Sequence, residues 1–116
     1  MIKDILSNLI IDGVAVPSAY LNYEGHANTY IVYSRVDTDR SYSGDDRLLG
    51  QVDYYDFDIY SNKNYKTIET NLIELLEAND FIYMPSKNSA DMYEKDTKLY
   101  HKSLCFGWLN QREETE

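Results

Sequence analysis

The chain has little of what phosphate-binding enzymes, disulfide-rich domains and membrane proteins need. Its single cysteine, Cys105, excludes an internal disulfide framework and favours a reducing compartment. The five glycines stand singly, at positions 13, 25, 44, 50 and 107, so no glycine-rich loop is present to hold a phosphate. No apolar run reaches membrane-spanning length, and Lys3 and Asp4 interrupt the apolar N-terminal residues. These absences predict a soluble, cytosolic protein without a signal peptide.

Positive charge is also scarce. Eleven Lys and Arg residues stand against 20 Asp and Glu, which gives a formal net charge of −9 and a pI near 4.5. Nucleic acids and anionic membranes both bind clustered Lys and Arg, so the sequence disfavours either as a direct partner. Tyrosine, in contrast, is abundant, with 12 copies against one Trp and three Phe. Its apolar ring and polar tip suit half-exposed sheets and interfaces, although an AT-rich genome would enrich Tyr, Asn, Ile and Lys as well.

Helical spacing of apolar residues predicts two helices in a single domain that spans residues 1–116. Five apolar residues form one stripe near the N-terminus: Ile2, Ile5, Leu6, Leu9 and Ile10. This first helix is predicted to end at Asp12-Gly13, because glycine readily adopts the left-handed conformation. A second amphipathic helix is predicted after the capping residues 61–64, with Asn79 as its left-handed terminus. Residues 111–116 are predicted to form a flexible tail.

Alternation of apolar and polar residues predicts the strands. Residues 29–36 and 50–60 alternate as half-buried strands do. In the second strand Tyr55, Phe57 and Ile59 share one face. Asp56, Asp58 and Tyr60 share the other face, which is predicted to point to water or to a partner.

Three further extended segments complete the predicted fold. Residues 81–85 and 90–93 are short extended pieces, and residues 99–109 form a long final strand. Helices that interrupt antiparallel strands, rather than alternating with them, favour an α+β fold. We therefore expect a mainly antiparallel sheet of about four strands with two amphipathic helices packed on one face.

The segment between the first two strands, residues 37–49, is predicted to be a long polar loop. Six of its residues are charged: Asp37, Asp39, Arg40, Asp45, Asp46 and Arg47. Such length and charge argue against a tight hairpin, and long ordered loops in compact domains are usually functional or mobile. With no cofactor motif nearby, the loop is predicted to dock a partner rather than to form an active site.

Two acidic motifs resemble parts of metal-binding sites, but each lacks other features that such a site requires. Asp37 and Asp39 begin like a calcium-binding loop, yet Arg40 follows them and Gly44 is misplaced for the required turn. Asp56 and Asp58 share a strand face, as the paired acids of some metal-dependent transferases do. The chain shows no strand–helix alternation that would build a nucleotide site, so a solvated strand face explains this pair better.

Histidine and cysteine form no catalytic or metal-binding set. His101 and Cys105 lie four residues apart on one strand, which separates them by roughly 13 Å at about 3.3 Å per residue. That distance is too great for the imidazole to activate the thiol. Cys105 is predicted to be a small buried residue, and His26 has no partner at ligand spacing. The sequence thus predicts no catalytic residues, no cofactor, no metal site and no enzymatic activity.

The order of these segments resembles a known family. The apolar N-terminal helix precedes a short Val-Pro segment and then residues 30–33 (YIVY). Residues 43–46 (SGDD) and 52–61 (VDYYDFDIYS) follow, then an amphipathic helix and residues 93–102 (YEKDTKLYHK), which enter the last strand. Over nearly the whole chain this order resembles the tail-completion, or tail-terminator, proteins of long-tailed bacteriophages and their prophages. The shared motifs are strand patterns rather than catalytic residues.

The resemblance implies a structural role in virion assembly. Proteins of this family are small α+β subunits without enzymatic activity or cofactor, found in the virion tail and, during assembly, in the host cytoplasm. They form a ring, commonly a hexamer, on the head-proximal end of the tail tube, where they end tube polymerisation and provide the surface for head–tail joining. The implied partners are copies of the chain itself, the major tail tube protein and the head connector or neck protein. Double-stranded DNA would only pass through the channel, and no membrane is involved.

The residues themselves suggest where such contacts lie. Nine residues form the predicted interface: Asp37, Asp39, Arg40, Asp45, Asp46, Arg47, Asp56, Asp58 and Tyr60. Tyr-rich strand faces and exposed strand edges would join neighbouring copies through a heterologous contact. The loop of residues 37–49 would order against the tube or the connector, and acidic residues at the channel would keep DNA from sticking.

Two other functions fit the same sequence. A head-closure or neck adaptor of the same virion would show similar composition and strand order. A small acidic protein can also mimic DNA and inhibit a DNA-handling protein, which requires carboxylates spaced like phosphates. Here the acids are interleaved with Lys and Arg, which disfavours the mimic. Neither the oligomer number nor the face that meets the tube follows from the sequence.

Overall fold

A computed structural model describes residues 2–42 and 48–111 of the chain. Two helices and predominant strand content confirm the predicted α+β class. In chain order the elements are α1 (Ile2–Leu6), β1 (Ile10–Ile11), β2 (Val14–Ala15), β3 (Ser18–Tyr20), β4 (Thr29–Tyr42), β5 (Leu48–Ser61), α2 (Lys66–Ala78), β6 (Ile82–Tyr83), a 3₁₀ turn (Pro85–Lys87), β7 (Met92–Glu94) and β8 (Leu99–Gln111).

The prediction of about four strands is wrong, because the described residues form eight strands in two sheets. β1 and β2 pair with each other, and the remaining six form one sheet in the order β3-β4-β5-β8-β6, with β7 also paired to β8. Every pair in the large sheet is antiparallel except β3 with β4. The strands that the prediction missed are two or three residues long, which is too short for alternation to reveal.

The first helix is shorter than predicted. α1 ends at Leu6, and Ile10 and Ile11 enter β1 instead. Asp12 and Gly13 have φ angles of 53° and 78° and form the two-residue turn between β1 and β2. Asp-Gly is favoured in such hairpin turns, which require positive φ at both central residues. The residues that suggested a helix terminus therefore make a hairpin turn.

The second helix lies where its apolar spacing places it. Asn64, one of the predicted capping residues, accepts a hydrogen bond through Oδ1 from the Lys66 backbone N–H at 2.9 Å. Asn79 is not the left-handed terminus, because its φ is −109° and Asp80, with a φ of 70°, takes that conformation. The buried residues of α2 are Ile68, Leu72 and Leu76.

The core lies between the helices and the inner face of the large sheet, which is the face turned toward α2. Phe57 and Ile59 of β5 are fully buried there, as the predicted alternation requires. Leu104 and Phe106 of β8 lie beside them and are also fully buried. Burial of large apolar side chains on this one face is the main source of stability.

The predicted loop of residues 37–49 is mostly strand, and that prediction is wrong. β4 continues to Tyr42 and β5 begins at Leu48, so the two strands form one long hairpin. Residues 43–47 lie outside the described parts of the chain. The distal hairpin, in which residues 37–42 of β4 pair with residues 48–54 of β5, is held by backbone pairing and needs little apolar burial, so a charged sequence can form it.

A β-bulge at Val36 reverses the face of the sheet on which the later side chains of β4 lie. Arg35 lies opposite Tyr55, and Asp37 lies opposite the next residue, Tyr54, so Val36 has no opposing residue. One extra residue in a strand moves all later side chains to the other face. Residues of β4 beyond Val36 therefore face the opposite way from what strict alternation predicts.

The segment of residues 84–94 covers the edge of β8. The Met84 N–H donates to the Cys105 carbonyl at 2.9 Å, and Asn88 Oδ1 accepts from the Cys105 N–H at 3.0 Å. Further along, Ser89 Oγ accepts from the Ser103 N–H at 2.8 Å. These bonds, together with β6 and β7, satisfy most of the β8 edge.

Candidate interaction face

The outer face of the large sheet is the side of β4, β5 and β8 turned away from α2. It carries the second set of β5 side chains, among them Tyr54, Asp56, Asp58 and Tyr60. Beyond the bulge Asp39 also lies on this face, because Tyr54 Oη donates a hydrogen bond to Asp39 Oδ2 at 3.1 Å. The bulge thus adds acidic residues of β4 to the acidic side chains of β5.

The structure brings together five of the nine predicted interface residues. Those five share the outer face: Asp37, Asp39, Asp56, Asp58 and Tyr60. Arg40 lies in β4 opposite Gln51, and its side chain falls outside the described parts. Asp45, Asp46 and Arg47 lie wholly outside the described residues, so their role stays a prediction.

Four aromatic rings form a continuous row across the outer face. Tyr23 stacks on Tyr30 at 4.3 Å between ring centroids, and Tyr30 stacks on Tyr60 at 4.9 Å. Tyr60 in turn stacks on His101 at 4.1 Å. Tyr30, Tyr60 and His101 are register partners on three neighbouring strands, so their spacing follows the distance of about 4.8 Å between paired strands.

Two carboxylates flank the imidazole at the end of this row. His101 Nε2 lies 3.7 Å from Asp58 Oδ1, and His101 Nδ1 lies 3.6 Å from Glu94 Oε1. Both distances exceed hydrogen-bond length. Within the described residues the buried Nε2 has no hydrogen-bond partner. The imidazole therefore separates two acidic groups without a hydrogen bond to either of them.

The negative charge of these carboxylates acts on the tyrosine hydroxyls. Burial, followed by the charges of Asp58 and Glu94, raises the pKa of Tyr60 from 10.0 to about 12. Burial and then Glu94 raise the pKa of Tyr30 as well. Both hydroxyls remain protonated at neutral pH, and each can donate and accept hydrogen bonds.

Cys105 is buried, as predicted, but its neighbour on the outer face is acidic. It lies opposite Asp56 in the β5–β8 pairing and is 2% exposed. Burial and the Asp56 carboxylate raise the pKa of the thiol, which therefore stays protonated at neutral pH. Burial and the adjacent Asp58 also raise the pKa of Asp56, while hydrogen bonds from Cys105 and Ser103 lower it. This environment disfavours a thiolate nucleophile.

A cleft of about 300 Å³ opens beside the ring row, and we call it the tyrosine cleft. Its lining includes Leu21, Tyr23, Tyr30, Asp58, Tyr60 and Glu94. No Lys or Arg is among the lining residues that the structure describes. The cleft therefore joins aromatic side chains to two carboxylates without a compensating cation.

A larger cleft, of about 760 Å³, lies at the start of α2 and is lined by both acidic and basic side chains. Lys102 Nζ lies 3.4 Å from Glu69 Oε1 and 3.5 Å from Asp91 Oδ1. The Tyr65 hydroxyl donates a hydrogen bond to Asp91, which lowers the pKa of that carboxyl. These contacts form an internal ion-pair network, so this cleft offers less unbalanced charge to a ligand than the tyrosine cleft does.

Sequence reasoning placed Asp58 and Tyr60 on this face but missed Tyr23, Glu94 and His101 as their neighbours.

Over the residues described, no three His, Cys, Asp or Glu side chains are grouped so as to hold a metal ion. Neither helix of the described chain is long and apolar enough to cross a membrane. Comparison with known proteins finds no matching protein-family model and no matching curated protein.

Replacement of Tyr60 by phenylalanine is expected to reduce the loss of stability at alkaline pH. Because the pKa of Tyr60 is raised in the folded state, its contribution is present below pH 10.0 and is lost as the pH rises through about 12. The free energy of unfolding, measured by urea denaturation across this window, should fall less steeply in Tyr60→Phe than in the wild type. Tyr93→Phe, at a residue 51% exposed, controls for loss of a hydroxyl. An equally steep fall in Tyr60→Phe would contradict this expectation.

Proposed function

We propose that this chain is a structural subunit of a bacteriophage tail. Copies of it form a ring, in our proposal a hexamer, that caps the head-proximal end of the tail tube. The ring ends tube polymerisation and presents a surface for the head connector or neck protein, with no enzymatic activity and no cofactor. The observation that best supports this proposal is the free edge of the long β4–β5 hairpin.

That edge begins where β3 ends. β3 pairs with residues 31–33 of β4, and the Leu21 N–H donates the last hydrogen bond, to the Tyr33 carbonyl. Among the described strands, only β5 pairs with residues 35–42 of β4. A free strand edge exposes N–H and C=O groups to which a strand of another molecule can pair.

The opposite side of the distal hairpin offers a second, different edge. β8 continues to Gln111, whereas β6 pairs only with Phe106 and Gly107. Pairing of the β4 edge of one copy with the distal β8 edge of the next would join two unlike surfaces. Such a heterologous contact generates a ring when the rotation between copies closes.

The outer face supports a role beside DNA. Asp37 and Asp39 of β4 lie on it, and the whole chain carries a net charge of −9. In the proposed ring these carboxylates would line the channel and repel passing DNA, which would prevent adhesion. The major tail tube protein would meet one end of the ring, and the connector or neck protein the other.

The proposal predicts that blocking the β4 edge weakens assembly. Val36→Lys places a charge at the bulge, where Val36 is 51% exposed and its replacement leaves the core intact. Val14→Lys, at a residue 68% exposed in the small sheet, is the matched control. Sedimentation of the protein, alone and mixed with tail tube protein, should show rings for the wild type and Val14→Lys and fewer rings for Val36→Lys. Electron microscopy should show that the wild type stops tube growth.

Several outcomes separate this function from its alternatives. Tubes that reach the same length with and without the protein would contradict a terminator. Binding to the connector without any effect on tube growth would favour a neck adaptor. A protein that stays monomeric with tubes present and binds a basic DNA-handling protein would favour a DNA mimic.

A further inference from the structure

We propose that the tyrosine cleft binds the guanidinium group of an arginine side chain that belongs to a partner protein with a basic surface. The proposal goes beyond ring assembly and holds whether or not the chain forms a ring. It rests on three properties of the cleft: its charge, the arrangement of its aromatic side chains and its size.

No Lys or Arg among the described lining residues compensates the charge of the cleft. Asp58 and Glu94 lie on either side of the His101 imidazole, and the described lining contains no Lys or Arg. Glu94 Oε2 accepts a hydrogen bond from Thr97, but this neutral partner leaves its charge in place. The side chain of Asp58 is 26% exposed, so its charge is partly desolvated and interacts more strongly with a cation than a fully solvated carboxylate does.

The row of rings favours arginine among cations. Stacking of Tyr23, Tyr30 and Tyr60 fixes the rings relative to one another, which lowers the entropy lost on binding. A guanidinium group is planar and carries five N–H donors in a fixed array, whereas an ammonium group is a compact, strongly hydrated charge. The carboxylates and tyrosine oxygens of the cleft supply acceptors for those donors.

The size of the cleft fits one side chain. Its volume of about 300 Å³ leaves room for an extended side chain but not for a folded element. Leu21, which is 67% exposed, and Val32 line the same cleft and offer apolar contact to the methylene stem of an arginine.

Charge complementarity identifies the source of the arginine. The chain has 20 acidic residues against 11 basic ones, so two copies repel each other at long range. A basic partner is attracted to the same acidic face, which raises its rate of association. The proposed occupant is therefore an arginine of a different protein rather than of a second copy.

The test is an NMR titration at mildly alkaline pH with N-acetyl-arginine amide as the probe. Ring signals of Tyr30, Tyr60 and His101 are expected to shift and to saturate. N-acetyl-citrulline amide, which has a similar shape and no charge, is expected to leave them unchanged. N-acetyl-lysine amide should bind more weakly than the arginine probe because it lacks the planar donor array.

Single substitutions locate the binding. Asp58→Asn and Glu94→Gln should each weaken the arginine probe by about threefold to tenfold, as expected for a partly exposed charge pair. Glu74→Gln, at an exposed acid of α2, is the control and should leave the affinity unchanged. The side chain of Glu94 is 44% exposed, so Glu94→Gln should fold. It therefore tests the proposal even if Asp58→Asn does not fold.

Four results would overturn the proposal. Equal shifts with the citrulline probe would show that charge is not recognised. Affinity unchanged by Glu94→Gln, or shifts spread over the acidic surface without saturation, would show only general attraction of a cation. Shifts of the Tyr30 and Tyr60 signals that depend on protein concentration without any probe, and that Glu94→Gln abolishes, would assign the cleft to a second copy.

Discussion

Replacement of Phe57 by alanine is expected to destabilise the fold by about 3–5 kcal/mol, since it removes the ring around which the core aromatics are arranged. Phe57 is fully buried on the inner face of β5. Its ring lies 5.4 Å from that of Phe106 and 6.0 Å from those of Tyr33 and Phe81. The substitution loses the transfer free energy of the ring and leaves a cavity among side chains that cannot fully collapse into it.

The measurement is urea denaturation of Phe57→Ala and of a matched control, Tyr93→Ala. Tyr93 is 51% exposed in β7, and removal of its ring leaves the core unchanged, so the control should change stability by about 1 kcal/mol or less. A domain of this size has a total stability on the order of 5–15 kcal/mol, so loss of Phe57 removes a large share of it. A change in Phe57→Ala no larger than that of the control would contradict a core centred on this ring.

The position of Phe57 follows from the sequence, because local alternation reports which face of a strand is buried. Tyr55, Phe57 and Ile59 were placed together by their period of two, and the structure puts them on the inner face. The helix of Lys66–Ala78 was likewise predicted from a local period of 3.6 residues. Such periods need no knowledge of which elements are neighbours.

The distal hairpin did not follow from the sequence, because its strands are held by pairing rather than by apolar alternation. The sequence predicts a loop here because residues such as Asp37 and Asp39 are charged. In the structure each has a pairing partner in β5, and side chains of the outer face can be charged because solvent reaches them. The bulge at Val36 also depends on the register between two strands, which no short sequence window contains.

In the candidate site, too, some features follow from the sequence and others depend on strand register. Asp58 and Tyr60 were placed on the outer face by alternation alone, and this is confirmed. The ring row could not be predicted, since Tyr30, Tyr60 and His101 meet only through the register of three strands. Cross-strand aromatic pairs stabilise sheets, so Tyr residues in two predicted strands were a usable signal, but their alignment was not.

The second large effect is expected at Asp53, which is only 3% exposed. Its Oδ1 accepts hydrogen bonds from Thr38 Oγ1 at 2.9 Å and from Gln51 Nε2 at 3.1 Å. Asp53→Ala leaves both donors without their acceptor and should cost about 1–3 kcal/mol in urea denaturation. Asp53→Asn keeps a carbonyl oxygen in place and should restore part of that loss, while Glu77→Ala, at an exposed acid of α2, should have little effect.

A double-mutant cycle between Asp53 and Thr38 tests the bulge itself. Thr38 lies opposite Asp53 only because Val36 is bulged, since strict alternation from Ile31 and Tyr33 would turn Thr38 to the outer face. Thr38→Val combined with Asp53→Ala should show a coupling of about 1 kcal/mol, because both substitutions remove the same hydrogen bond. Strictly additive effects would place the two side chains apart. In that case Asp37 and Asp39 would not lie on the outer face, and the acidic surface there would be confined to β5 and its neighbours.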